Sequence, residues 1–159
     1  DDIVPVPGRG QIILRGPQNV KEYYCSSEKP LMKDDWLFAR DVVDVDERGY
    51  MQIVDRVDES IISGGENIYP QEVELFLKDH PMIADVAVFG IPDKKWGEKI
   101  AACVVRRSPE LTEEGIEKFC LEEENLAKYK RPRQIFFVDK IPKNVLGKTN
   151  RRKLREELL

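Results

Sequence analysis

The chain has 159 residues, 41% hydrophobic and 35% charged, with a net charge of −4, a balance that suits one soluble domain, or a small domain joined to part of another. No apolar run approaches the roughly 18 residues of a membrane span and no signal peptide is visible, so a cytoplasmic location is expected. Cys25, Cys103 and Cys120 lack metal-ligand spacing and read as buried or free thiols of a reducing compartment, while a single histidine, His80, excludes a multi-histidine metal site or a His-based triad within these residues.

The chain opens "DDIVPVPGRG", without Met and inside what reads as a polar loop. It is therefore expected to be part of a longer protein. Residues 1–54 read as short strands and turns. Gln11–Leu14 is a strand candidate, and Gly16-Pro17 marks a turn. Val42–Val45 and Tyr50–Val54 are two more strands, with Asp46-Glu47-Arg48-Gly49 as the hairpin loop between them. These pieces are too few to close a core of their own.

From Asp55 onward the pattern becomes a self-sufficient α+β unit, residues 55–159. "SIISGGENIYPQEVELFLKDHP" holds a strand, a Gly-rich loop and a helix. Pro70 suits the first helical turn, and Glu72 and Glu74 favour the positive end of the helix dipole. Val73, Phe76, Leu77 and His80 fall at i, i+3, i+4 and i+7, which predicts one buried face; Pro81 ends the helix. "ADVAVFGIPD" alternates with period two, placing Val86, Val88 and Gly90 on one face. "KIAACVVRR" is the next strand. Thr112 caps a second helix with Ile116, Phe119 and Cys120 as its apolar stripe. "QIFFVD" is a last strand and "RRKLREELL" a last helix.

Two features invite a functional reading. Between Lys128 and Arg155 there are eleven Lys or Arg and one acid, Asp139. Such a run is either a solvated face or the footprint of an anionic partner such as a nucleotide, CoA or nucleic acid. Nucleic acid is disfavoured, because Phe136 and Phe137 sit in an apolar strand and leave only Tyr129 to stack on bases. The second feature is Gly147-Lys148-Thr149, between a strand and a helix, which looks like the end of a phosphate-binding P-loop. That motif needs glycine at position 142, where this chain has Pro142 with no N–H to offer.

Six stretches occur in order: "GPQNVKEYY", "DDWLFARD", "DRVDESIISGGENIYPQEVE", "VAVFGIPDKKWGE", "LAKYKRPRQIFFVDKIPK" and "NVLGKTNRRKL". Together they resemble the C-terminal part of the AMP-forming acyl-CoA synthetase and aryl-CoA ligase family, the superfamily of luciferase and the adenylation domains, over nearly the whole chain. The resemblance implies a small α+β lid, residues 55–159, with short β-sheets flanked by helices. Residues 1–54 would be the last strands of the large N-terminal domain. It implies an acid-thiol ligase as the longer protein, with ATP (leaving as AMP), CoA and a small carboxylic acid as substrates and the missing N-terminal domain as partner. Mg2+ would accompany ATP, with no ligand from this chain. The 159 residues alone are expected to be inactive.

The same resemblance assigns residues. Lys148 takes the place of the adenylation lysine, whose ammonium offsets charge growing on the α-phosphate. Asp41 and Arg56 match contacts to the nucleotide ribose, although the family's Thr-Gly-Asp is here Ala39-Arg40-Asp41. Asp58 matches the hinge about which the lid turns. Gly64 and Gly65 match the loop lining the pantetheine tunnel, and Trp96, Tyr129 and Arg131 match positions around the CoA nucleotide. The alternative is a stand-alone binding or regulatory module, or a pseudoenzyme, derived from the lid.

Overall fold

Residues 3–158 are described by the computed structural model. Their contacts form two compact units that divide between Asp58 and Glu59. The division falls slightly later than residue 54. The last strand of the first unit stays paired through Arg56, and Asp58 is held by Arg56 through a 3.0 Å hydrogen bond.

The first unit is a four-stranded antiparallel sheet: β1 (Gly8–Leu14), β2 (Met32–Lys33), β3 (Trp36–Val45) and β4 (Met51–Arg56). β3 lies at the centre, with β1 along one side and β2 and β4 sharing the other. It begins at Trp36, well before the expected Val42, because its early residues pair with the ends of β1 and β2. The β3–β4 loop closes as the sequence predicts. Asp46 Oδ1 accepts from the N–H groups of Arg48 and Tyr50, and Gly49 takes φ +83°. The unit's core is thin: among the described residues its buried apolar side chains are Pro30, Val42 and Val43.

The second unit is a mixed five-stranded sheet. β5 (Ile61–Ser63) and β6 (Glu66–Ile68) form a tight hairpin that the sequence reading does not contain, since it placed only a loop after the first strand. A two-residue connection with both φ values positive matches the right-handed strand twist, and Gly64 (+61°) and Gly65 (+87°) supply it. Helix α1 (Pro70–Lys78) follows, then the long hairpin β7 (Ile83–Asp93) and β8 (Gly97–Arg106). Helix α2 (Glu113–Glu122) is capped by Thr112, whose Oγ1 accepts from Gly115 N–H at 3.1 Å. β9 (Gln134–Phe137) runs parallel to β8, and α3 (Arg151–Leu158) completes the unit, with Leu159 of the expected helix outside the described residues.

The sheet is covered on both faces. Val73, Phe76 and Leu77 of α1 and Ile116 and Cys120 of α2 pack with Val86, Val88, Ala102 and Val104. On the other side, Ala87, Phe89, Ile91, Ala101 and Cys103 pack with Ile141 and Leu154. The alternation in β7 places Val86 and Val88 on one face, as expected, and the other face, with Ala87, Phe89 and Ile91, is a second core rather than a solvent face. His80 closes the α1 stripe, its ring edge-on to Phe119 with centroids 4.9 Å apart. Burial lowers its pKa.

β7 is an edge strand, since it pairs with β8 alone. Its middle is closed by side chains. Glu74 Oε1 accepts from Val88 N–H at 2.8 Å, and Arg151 Nε donates to Val88 O at 2.9 Å. The two side chains also meet each other at 2.7 Å. Glu74 is thus a buried edge cap, while Glu72, the acid in the first turn of α1, pairs with Lys130 Nζ at 2.6 Å. Burial pushes the Glu74 carboxyl up, against the pull of Arg151.

Candidate functional site

In the first unit, three of the expected residues come together. Asp41 in β3 lies directly across from Arg56 in β4, and Arg56 Nε donates to Asp58 Oδ1 at 3.0 Å. Asp58 sits in a 3-10 turn, Val57–Glu59, where the chain leaves the sheet. Arg40 takes φ +63°, a left-handed conformation that favours glycine. A non-glycine residue holds this conformation at a cost of roughly 1 kcal/mol. Arg40 Nη1 also lies 3.9 Å from Asp58 Oδ2. Partial burial works to raise the Asp58 carboxyl, but the hydrogen bond from Arg56 and the charges of Arg56 and Arg40 outweigh it and hold the group below its ordinary range.

In the second unit, the β5–β6 turn and the start of β8 enclose a shallow cavity of about 160 Å³ lined by Gly64, Glu66, Trp96, Lys99, Tyr129 and Arg133, among others. The turn before β8 positions Trp96. Asp93 Oδ1 accepts from Lys95 N–H at 2.9 Å and Trp96 N–H at 3.0 Å. These donors hold the Asp93 carboxyl below its usual range. Gly64 meets Trp96 closely: its N–H donates to Trp96 O at 2.9 Å, and a Cβ there would lie 3.0 Å from the indole ring. Gly64 is thus required twice, by its φ and by the ring. Gly65 is required by its φ alone, since a Cβ there would meet nothing.

Trp96 and Tyr129 are half exposed. Among the described residues neither Lys99 nor Arg133 is ion-paired, so the cavity offers aromatic faces for a planar base and cations for phosphate, beside one carboxylate, Glu66. Its volume is too small to enclose a whole nucleotide.

Arg131 does not line this cavity. Its guanidinium turns toward α2, 3.5 Å from Glu117 Oε1, and donates to Lys128 O at 3.1 Å. Arg133 takes the lining position because its N–H donates to Ile100 O at 2.8 Å, which seats it beside Lys99. Neither Lys99 nor Arg133 was singled out from sequence, since the parallel β8–β9 pairing that joins them is a long-range contact.

Lys148 lies in an exposed loop closed by the bridge Lys143↔Thr149. Among the described residues its ammonium has no ion pair. The loop's base is tied to the far end of the β7–β8 ladder, where Lys143 Nζ meets Asp85 at 2.9 Å. Lys99 pairs with Ile91 near the opposite end, about 20 Å away at 3.3 Å per residue. The remainder of the basic run is largely neutralised by acids, including Glu72, Glu117, Asp85, Glu74 and Glu156. It is therefore no continuous cationic face. Among the described residues no cluster of three or more His, Cys, Asp or Glu could hold a metal ion, and no helix is long and apolar enough to cross a membrane.

The AMP-binding enzyme C-terminal domain family matches residues 72–148. A 2-succinylbenzoate–CoA ligase of Bacillus cereus is 42% identical over 156 residues, covering 97% of this chain and 32% of the relative. The long-chain-fatty-acid–CoA ligase FadD13 of Mycobacterium tuberculosis is 37% identical over 159 residues, covering 99% of this chain and 31% of the relative. Among solved structures, o-succinylbenzoate CoA synthetase (MenE) from Bacillus subtilis, in complex with the acyl-adenylate intermediate OSB-AMP, superimposes with a TM-score of 0.83 at 36% identity, over 96% of this chain and 31% of that one. The chain spans about a third of the length of the curated relatives it matches.

Proposed function

We propose that the chain is the C-terminal part of an ATP-dependent, AMP-forming carboxylate–CoA ligase, a reading supported by the match of residues 72–148 to the AMP-binding enzyme C-terminal domain family and by the likeness to CoA ligases and synthetases. The first unit is read as the end of the large domain and the second as its lid. In the first half-reaction a carboxylate oxygen attacks the α-phosphorus of ATP, and pyrophosphate leaves. The Lys148 ammonium offsets the charge that builds on the α-phosphate oxygens. Asp41 accepts from the ribose hydroxyls and Arg56 braces it from the facing strand.

In the second half-reaction the CoA sulfur, its proton lost, attacks the acyl carbon and AMP leaves. Gly64 and Gly65 border the pantetheine path. Trp96 and Tyr129 stack on the CoA base, and Lys99 and Arg133 meet its phosphates. Arg131, engaged with Glu117, braces this cavity. Asp58 is the hinge between the two poses.

The observation that supports this reading is an exposed Lys148, without an ion pair among the described residues, that does not line the separate aromatic and cationic cavity. Two separate groups serve two successive chemical steps more readily than one. Lys148→Ala should slow acyl-adenylate formation by about 3 kcal/mol of barrier, as for other lost transition-state charges. Thioester formation from supplied acyl-adenylate should change little. Trp96→Ala should give the opposite pattern. Equal losses in both half-reactions for either variant would refute the assignment.

A further inference from the structure

The loop that carries Lys148 has no packing to hold its shape. Val145 and Leu146 are 103% and 78% exposed, and Asn144, Gly147 and Lys148 are exposed as well. Its order comes instead from hydrogen bonds that converge on one residue. Asn144 Oδ1 accepts from Leu146 N–H at 2.9 Å and from Lys148 N–H at 3.0 Å. Asn144 N–H donates to Lys148 O at 2.8 Å, and Asn144 O accepts from Gly147 N–H at 2.9 Å. Both main-chain polar groups of Lys148 are thus held by Asn144.

We propose that Asn144 is the positioning residue for Lys148: its side-chain amide folds the loop back on itself and fixes the point from which the lysine stem extends. The inference rests on the adenylation role proposed for Lys148. A lysine side chain has a flexible four-carbon stem, so its ammonium is only as well placed as its Cα. An asparagine carbonyl has two lone pairs and the reach to accept two N–H groups within its own turn. Alanine has neither, and the freed N–H groups would turn to water. The flanking Lys143↔Thr149 bridge and the core do not depend on this amide, so the change is confined to the loop.

Two measurements test this. In the 159-residue chain, amide hydrogen exchange should be slower at Leu146 and Lys148 than at Val145. Asn144→Ala should abolish that difference, and Asn144→Ser, which keeps a short acceptor, should restore part of it. In the ligase carrying this chain, Asn144→Ala should lower kcat for adenylation by about tenfold to hundredfold, the range for a misplaced catalytic group. KM for ATP should stay within about twofold, because the loop presents charge to the transition state. Thioester formation from supplied acyl-adenylate should be unchanged, and the Asn144→Ala, Lys148→Ala double variant should be no slower than Lys148→Ala alone.

If Lys148→Ala is harmless to adenylation, the lysine reading fails and this inference falls with it. If Lys148→Ala is slow but Asn144→Ala is not, or if Asn144→Ala slows both half-reactions equally, only the positioning role is overturned. Additive losses in the double variant would overturn it too.

Discussion

Arg151→Met tests how the second unit closes its exposed strand edge. The guanidinium bonds to Val88 O at 2.9 Å and Glu74 Oε1 at 2.7 Å, and lies 3.4 Å from Glu59 Oε2. The Arg151 and Glu74 side chains are only 14% and 9% exposed. Methionine fills much of the same volume but leaves Glu74 buried with a single donor, Val88 N–H. Breaking a buried pair by removing one partner costs about 3–5 kcal/mol. Glu74 can soften the loss by taking up a proton, so the lower end, about 3 kcal/mol, is expected near neutral pH. The loss should be smaller in mild acid. Burial already raises this carboxyl, and without Arg151 the folded-state pKa rises further above the unfolded value. A raised acid loses stability as pH climbs from its unfolded pKa through its folded pKa.

Urea unfolding of the whole chain followed by helical circular dichroism is the assay, because all three helices belong to this unit. Adding Glu74→Gln to Arg151→Met removes the stranded charge while keeping an acceptor for Val88 N–H, and should recover more than half of the loss. A single-variant loss below about 1 kcal/mol, the range of an exposed ion pair, would refute the buried-charge reasoning. So would a double variant no more stable than the single one.

Two further outcomes are expected. The Asp58 carboxyl should titrate below its ordinary value of 3.8 when followed by NMR, and Arg56→Met should move it upward. Because the folded pKa is depressed, the stability contributed by the Asp58–Arg56 pair is present above the unfolded pKa and is lost as pH falls through the folded one. A midpoint at or above the ordinary value would remove Arg56 as its anchor. Separately, burial raises the thiols of Cys103 and Cys120 to about 11 while Cys25 is exposed. A maleimide at mildly alkaline pH should therefore label one thiol in the native chain and three in urea; rapid native labelling of a second thiol would show that a core opens.

The local elements were legible in the sequence because their causes are local. Thr112 caps its helix through the N–H of Gly115, three residues on. Val73, Phe76 and Leu77 share a face of α1 through helical period, while His80 of the same expected stripe lies just beyond the helix end at Lys78. Asp46 folds the β3–β4 loop with acceptors for N–H groups two and four residues away. The order of six motifs likewise carried a family resemblance, and residues 72–148 match the AMP-binding enzyme C-terminal domain family. Other features rest on contacts between distant residues. Period-two alternation in β7 says that two faces differ, and only the arrival of α3 and Ile141 makes the second face a core as well. Arg131 and Arg133 are equivalent in sequence, yet β9 registers against β8 so that Arg133 faces the cavity while Arg131 meets Glu117. The basic run looks cationic in one dimension, but its partners come from acids such as Asp85, dozens of residues away. Strand register and helix packing decide which charges meet, and those are set by the fit of the whole core rather than by any one segment.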